Sequence, residues 1–266
     1  MIKVVIVGVT GRMGHALLEG VFADVELALH GALDRAETPQ IGRDAGEQLG
    51  QVSGVKVTDN IETALVNADV LIDFTRPEAS MMYLAACQKH HVKMIIGTTG
   101  FSPEQKLAIE SASKNIAIVF APNMSVGVTL LINLVEQAAK VLNDGYDIEI
   151  VEMHHRHKVD APSGTALRLG EAAAQGLGQA LKDCAIYSRE GVTGEREAGK
   201  IGFATLRGGD VVGDHTVVLA GIGERVELTH KASSRATFAL GALRAAKFLS
   251  DKNTGLFDMQ DVLGLR

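Results

Sequence analysis

The chain has 266 residues, 46% hydrophobic and 22% charged, which suits a globular protein with room for two domains or for one large domain carrying an insertion. Its two cysteines, Cys87 and Cys184, cannot build a disulfide framework and favour a reducing, cytoplasmic setting. A net charge of −6 without a long block of lysine and arginine argues against nucleic acid as a partner, and no run approaches the roughly 20 apolar residues of a membrane helix.

The opening MIKVVIVGVTG breaks into glycine after a short apolar run, so it predicts a strand and a turn rather than a leader peptide. Further β-branched runs predict strands at 26–33, 55–58, 70–73, 93–96 and 116–120, with helical patterns at 13–22, 61–66, 78–90 and 103–114 between them. Several of these strands are apolar throughout, as parallel strands covered on both faces are. Alternating strand and helix over the first 120 residues therefore predicts a doubly wound parallel sheet.

The pattern changes after Asn123. A long apolar helix at 126–142 leads to an extended segment at 146–154 and a helix at 165–176, and the glycine- and charge-rich stretch 176–200 reads as a loop. Strand-like runs at 201–206, 211–220 and 225–231, separated by Gly208-Gly209-Asp210 and Gly223-Glu224, predict an antiparallel meander. A final helix at 236–249 follows Ser233-Ser234, either of which can cap it. The expected division is a first domain of residues 1–125 and 235–266 and an inserted mixed α+β domain of residues 126–234.

The turn after the first strand is Gly8-Val9-Thr10-Gly11-Arg12-Met13-Gly14, spaced GxxGxxG and followed by a helix. Glycines there allow a tight turn and a close backbone approach to a pyrophosphate, whose charge then faces the helix N-terminus. Asp34 ends the next strand, 20 positions beyond Gly14, where an acid accepts hydrogen bonds from the ribose of NAD. Arg35 and Arg12 can meet adenine or a 2′-phosphate, so NADH and NADPH are both expected, with NADH preferred. The plain alternative is that the glycines only turn the chain and Asp34 caps a loop. The strand, turn, helix and acid together predict a Rossmann-like unit. Gly97-Thr98-Thr99 and Ala121-Pro122-Asn123-Met124 also follow strands of this sheet, on the edge where ligands bind.

The densest chemistry is Glu152-Met153-His154-His155-Arg156-His157-Lys158. Three histidines, an arginine and a lysine within five residues suit an anionic substrate, and histidine exchanges protons near neutral pH. Pro162-Ser163-Gly164-Thr165 then opens a helix, whose free N–H groups, with the Ser163 and Thr165 hydroxyls, can hold an anion such as a dicarboxylate. Equally, Ser163 or Asp160 can serve as a helix cap beside solvated histidines. HExxH and HxxEH are absent and no cysteine is near, so no metal site is expected.

These segments resemble one family over essentially the whole chain, the 4-hydroxy-tetrahydrodipicolinate (dihydrodipicolinate) reductases of lysine and diaminopimelate biosynthesis. The resemblance rests on GVTGRMG, ALDR, GTTG, APNMS and above all EMHHRHKVDAPSGTA, with support from YSREGVTGER, IGFATLRGGDVVGDH and HKASSR. It implies an NAD(P)H-dependent enzyme in which His154 is the proton donor and acceptor and Lys158 a second proton donor. It implies that His155, Gly164 and Thr165 bind the substrate. It implies that Gly8, Val9, Thr10, Gly11, Arg12, Met13, Asp34, Arg35, Gly97, Thr98, Thr99, Ala121, Pro122, Asn123 and Met124 contact the cofactor. A homotetramer, with subunit contacts from the inserted domain, is implied as well. Asp34 departs from the glutamate of many relatives, a change that bears on cofactor preference. Two other readings stay open: a different two-domain NAD(P) dehydrogenase of a small carboxylate, and a dinucleotide sensor without catalysis.

Overall fold

The computed structural model describes residues 1–265; Arg266, at which the expected first domain ends, lies outside the described residues. The chain runs β1 (Ile2–Val7), α1 (Arg12–Ala23), β2 (Leu27–Leu33), β3 (Val57–Thr58), α2 (Ile61–Leu65), β4 (Val70–Asp73), α3 (Pro77–His90), β5 (Lys93–Ile96), α4 (Pro103–Ala112) and β6 (Ala117–Phe120). It continues through α5 (Val126–Val141), β7 (Asp147–His154), α6 (Gly164–Gly176), α7 (Leu181–Cys184), β8 (Ala185–Ile186), β9 (Ile201–Arg207), β10 (Gly213–Ala220) and β11 (Arg225–Ala232). It ends with α8 (Ala236–Phe248), β12 (Gly255–Phe257) and α9 (Met259–Leu263). Two compact units result: one is Met1–Val126 with the return from Arg235, the other is Gly127–Ser234.

In the first unit seven parallel strands lie in the order β12-β6-β5-β4-β1-β2-β3, the doubly wound, Rossmann-like arrangement. β1 shows why its apolar run is uninterrupted. Val4 and Ile6 enter one core with α1 and α8, while Val5 and Val7 enter the other with α2, α3 and α4. A parallel strand covered on both faces has no face left to be polar. The chain order reverses between β1 and β4, and in open α/β sheets the crevice beyond the strands' C-terminal ends at such a reversal is where ligands bind. β12 and α9 form no part of the sequence-based expectation. β12 is three residues long and pairs with β6 at the sheet edge, a signal too short for periodicity to show.

The second unit is a five-stranded mixed sheet, β11-β10-β7-β9-β8, with α5 and α6 packed on one face around Leu131, Val135, Ile148, Ile150, Leu169 and Val217. The expected meander is corrected here. β10 and β11 do form an antiparallel hairpin, but β9 lies on the other side of β7 and runs parallel to it. β7, α6 and β9 thus make a crossover unit, because the helix at 164–176 must return the chain to the same end of the sheet. The expected loop at 176–200 also contains α7 and β8, which pairs with β9. At the C-terminal helix the cap position falls on Arg235, with no side-chain cap bond, rather than on Ser233 or Ser234.

In the first unit α8 passes the turn between β6 and α5 so closely that a Cβ on Gly241 would run into the carbonyl oxygen of Met124. Gly241→Ala is therefore expected to cost about 1–3 kcal/mol by overpacking. A urea titration should show this as a lower midpoint at unchanged slope.

Candidate active site

The glycine turn of the first unit is built for a group that approaches its backbone. Gly8 has φ +65°, in the left-handed region, and its carbonyl accepts the Gly11 N–H at 2.9 Å. A Cβ on Gly14 would collide with the Gly8 and Val9 carbonyls, so the third glycine lets α1 sit directly on the turn. Gly11 stands at the N-cap of α1 without a side-chain cap bond, and the first turn holds no acid. A helix start of this kind presents N–H groups and a partial positive charge, which fits a dinucleotide pyrophosphate.

Asp34 is tied to that turn. Its Oδ2 accepts from the Thr10 N–H at 2.9 Å and the Thr10 hydroxyl at 2.7 Å, and its Oδ1 from the Arg35 N–H at 2.8 Å. Three of the roughly four acceptor positions of a carboxylate are in use, which leaves one for a ribose hydroxyl. Val9 and Met124 lie in the core, so they can meet a ligand only through backbone groups. Thr98 is buried and its Oγ1 accepts the Thr75 N–H at 2.9 Å, while Thr99 and Pro122 are exposed. Asn123 Oδ1 accepts the Ser125 N–H at 2.8 Å and shapes the turn after β6.

Asp73 is a functional-edge residue that sequence reasoning missed. Fully buried at the end of β4, it accepts from the Thr75 N–H at 2.9 Å, the Thr75 hydroxyl at 2.6 Å and the Ser80 hydroxyl. Burial raises its pKa against the pull of those hydrogen bonds. It thereby joins the turn after β4 to the first turn of α3, on the edge that also carries Gly8 and Gly97.

The second unit collects its chemistry at the C-terminal end of β7. Side chains on this strand alternate, and the inward set runs Ile148, Ile150, Glu152, His154. The core face thus turns from apolar to ionisable over its last four residues. Glu152 is only 1% exposed. Its Oε2 accepts from His154 Nδ1 at 2.6 Å and Arg207 Nη1 at 2.8 Å, and its Oε1 from Arg207 Nη2 at 3.0 Å and the Ser163 N–H at 3.1 Å. Burial alone would raise the Glu152 pKa; the bonds from Arg207, His154 and Ser163 outweigh it and hold the carboxyl below its usual range. His154 itself lies edge-on to His215, ring centroids 5.0 Å apart.

The rest of the basic cluster divides. Arg156 and His157 are exposed, and the His155 and His157 rings lie 6.2 Å apart. The Lys158 ammonium pairs with Asp160 at 2.8 Å. Ser163 caps α6: its hydroxyl accepts the Ala166 N–H at 3.1 Å and lies 3.0 Å from His215 Nε2. The expectation of a ligand-binding Ser163 hydroxyl is corrected on this point, since that oxygen is buried and already engaged. Gly164 is exposed at the first turn of α6, with open space where a Cβ would stand. Glu152, Arg207 and His215 lay in segments that carry the resemblance, but the sequence assigned none of them a role. For Glu152 a signal existed, the i, i+2 spacing to His154 on an otherwise apolar strand face. Arg207 and His215 come from β9 and β10, which only strand pairing brings beside β7.

Among the described residues no three His, Cys, Asp or Glu side chains are placed to hold a metal ion, and no helix is long and apolar enough to cross a membrane. The family pattern described as "Dihydrodipicolinate reductase, N-terminus" matches residues 2–124, and "Dihydrodipicolinate reductase, C-terminus" matches residues 127–263. The chain belongs to the dihydrodipicolinate reductase family. It is 61% identical to a 4-hydroxy-tetrahydrodipicolinate reductase of Nitrosospira multiformis over 100% of this chain and 98% of that one. It is 63% identical to another of Laribacter hongkongensis over 100% and 99%. The fold of the reductase is also that of a dipicolinate-bound dihydrodipicolinate reductase from Paenisporosarcina sp. TG-14, with TM-score 0.78, 24% identity and 98% of each chain covered.

The buried histidine of this site makes a prediction about stability. Burial, and then the neighbouring His154, lower the His215 pKa to about 4. Above pH 6.5 the imidazole is neutral in both folded and unfolded chains. As pH falls from 6.5 to 4 the unfolded chain takes up a proton that the folded one refuses. The second unit should lose about 3 kcal/mol over that window. Hydrogen exchange at β7 and β10 amides, compared at pH 7 and 4.5, should show the loss and should show less of it in His215→Gln.

Proposed function

We propose that this reductase converts 4-hydroxy-tetrahydrodipicolinate, with loss of water, to tetrahydrodipicolinate, using NADH or NADPH, in lysine and diaminopimelate biosynthesis. The observation that carries this reading is the buried His154–Glu152 pair beside the open first turn of α6, in a chain whose other unit has a dinucleotide-binding turn. When bound, the reduced nicotinamide supplies the hydride.

The chain's own residues do the rest. The turn Gly8, Val9, Thr10, Gly11, Arg12 and Met13 receives the pyrophosphate, and Asp34 with Arg35 receives the adenosine half. Gly97, Thr98 and Thr99, with Ala121, Pro122, Asn123 and Met124, border the nicotinamide half, largely through backbone groups. His155 and the first turn of α6, at Gly164 and Thr165, hold the substrate carboxylates. His154 delivers the proton that completes reduction, and the Lys158 ammonium gives a second proton or neutralises developing negative charge. A non-catalytic sensor would have no use for a buried histidine held by an ionised carboxylate.

The assembly is a homotetramer in a cytoplasmic setting. Supporting this, Leu206 and Val226 of the second unit's sheet are left exposed in the single chain, and both cysteines are free, buried thiols. Light scattering on the purified enzyme should give the mass of four chains.

The deciding experiment is the oxidation of NADH and NADPH, in parallel, with freshly generated 4-hydroxy-tetrahydrodipicolinate. His154→Ala and Lys158→Ala should each lower kcat by about 10²–10⁴-fold, the scale of a lost proton donor. Dinucleotide binding by both variants should match that of the unmodified enzyme. Full rates in both variants would overturn the reading.

A further inference from the structure

We propose that Glu152, clamped by Arg207, is a positioning residue that assigns the proton of His154 to Nδ1 and leaves Nε2 as the nitrogen that serves the substrate. This rests on the assignment of His154 as proton donor and adds what makes it one.

The argument begins with acceptor capacity. A carboxylate offers about four lone-pair positions, and Glu152 fills four with His154 Nδ1, two Arg207 nitrogens and the Ser163 N–H. Nothing remains for a ligand, so Glu152 cannot act on substrate directly. Its partners instead fix its own state. The guanidinium binds both oxygens, which keeps the group ionised and therefore acceptor-only. A histidine nitrogen 2.6 Å from such a group carries a proton in the neutral and the charged ring alike. The proton that comes and goes must use Nε2.

The space at Nε2 supports this. It lies against β10 at Gly213, where a Cβ would stand 3.0 Å from it, so a larger residue there would crowd that nitrogen and glycine does not. His215, one alternation further along β10 and opposite Glu152 in register, packs edge-on against the same ring and stays neutral around neutral pH, so it adds no charge beside a ring that must become cationic. The ionisable groups around the pair come from every neighbouring element: Arg207 on β9, His215 on β10, His230 on β11, and Lys158 with Asp160 in the loop after β7. Of these, Arg207 carries a charge and reaches the pair by direct hydrogen bonds, both of them to Glu152. Arg207 Nη2 also donates to the Asp160 carbonyl at 2.6 Å, so the clamp ties the ring's partner to the loop that carries Lys158.

Two measurements test this. In the unmodified enzyme, ¹⁵N NMR of the neutral His154 ring should show Nδ1 protonated and Nε2 bare; the opposite tautomer overturns the proposal. In steady-state assays Glu152→Gln, which keeps the shape and loses the charge, should lower kcat about 10²-fold with the NADH KM unchanged. The alkaline limb of its kcat profile should move acidward, because the proton-donating site has lost its counter-charge. Glu152→Asp should restore the limb towards its original position. A Glu152→Gln enzyme with the original rate and limb, beside an inactive His154→Ala, overturns the role of Glu152 alone. A fully active His154→Ala overturns both this and the reading beneath it.

Discussion

Glu152 is buried with two oxygens and four donors, and the working end of the second unit is arranged around that fact. An ion buried this deeply is tolerable only if every lone pair is met, and removing one partner leaves a charge that nothing compensates. The requirement draws in three elements: β7 brings His154, β9 brings both Arg207 nitrogens, and the start of α6 brings the Ser163 N–H. The carboxylate therefore does structural and chemical work with the same bonds. It pins the helix start to the sheet, and it fixes the ring that stands beside that start.

The first unit uses a related device with a different balance. Asp73 is as buried as Glu152, but hydroxyl and amide donors surround it and no arginine does. Its pKa rises where that of Glu152 falls: burial outweighs the hydroxyl and amide donors at Asp73, and the donors led by Arg207 outweigh burial at Glu152. The two acids share a location, the C-terminal end of an inner strand. There the backbone leaves the ladder, and polar side chains must organise the turn that follows. Ligand sites in such sheets arise on that edge because it is where backbone and side-chain donors become available together.

Much of this was legible in advance. The apolar runs of the first unit announced parallel strands, since two-sided burial removes the polar alternation. The run of ionisable residues from 152 to 158 was visible as the densest chemistry in the chain. What misled was the run from 201 to 231. Three strands joined by glycine turns look alike whether they pair in succession or not, and nothing local distinguishes a meander from a hairpin set beside a crossover unit. The difference lies in α6, a 13-residue helix that carries the chain back across the sheet. Ser163 was ambiguous for a similar reason. A hydroxyl before a helix can cap it or bind a ligand, and only the nearness of His215 and the Ala166 N–H shows which.

By itself the sequence determined the parallel sheet, the dinucleotide turn with its acid at Asp34, and the stretch from His154 to Thr165, because hydrophobic period, glycine placement and charge density are local properties of a chain. Tertiary structure alone decided which members of that stretch face inward, that Arg207 and His215 stand beside them, and that Glu152 holds the centre. These are separated by up to 63 positions in sequence and meet only through strand register, in which Glu152 lies opposite His215 and His154 opposite Arg207. Register follows from burying one face of the whole sheet at once, and no local window contains that condition.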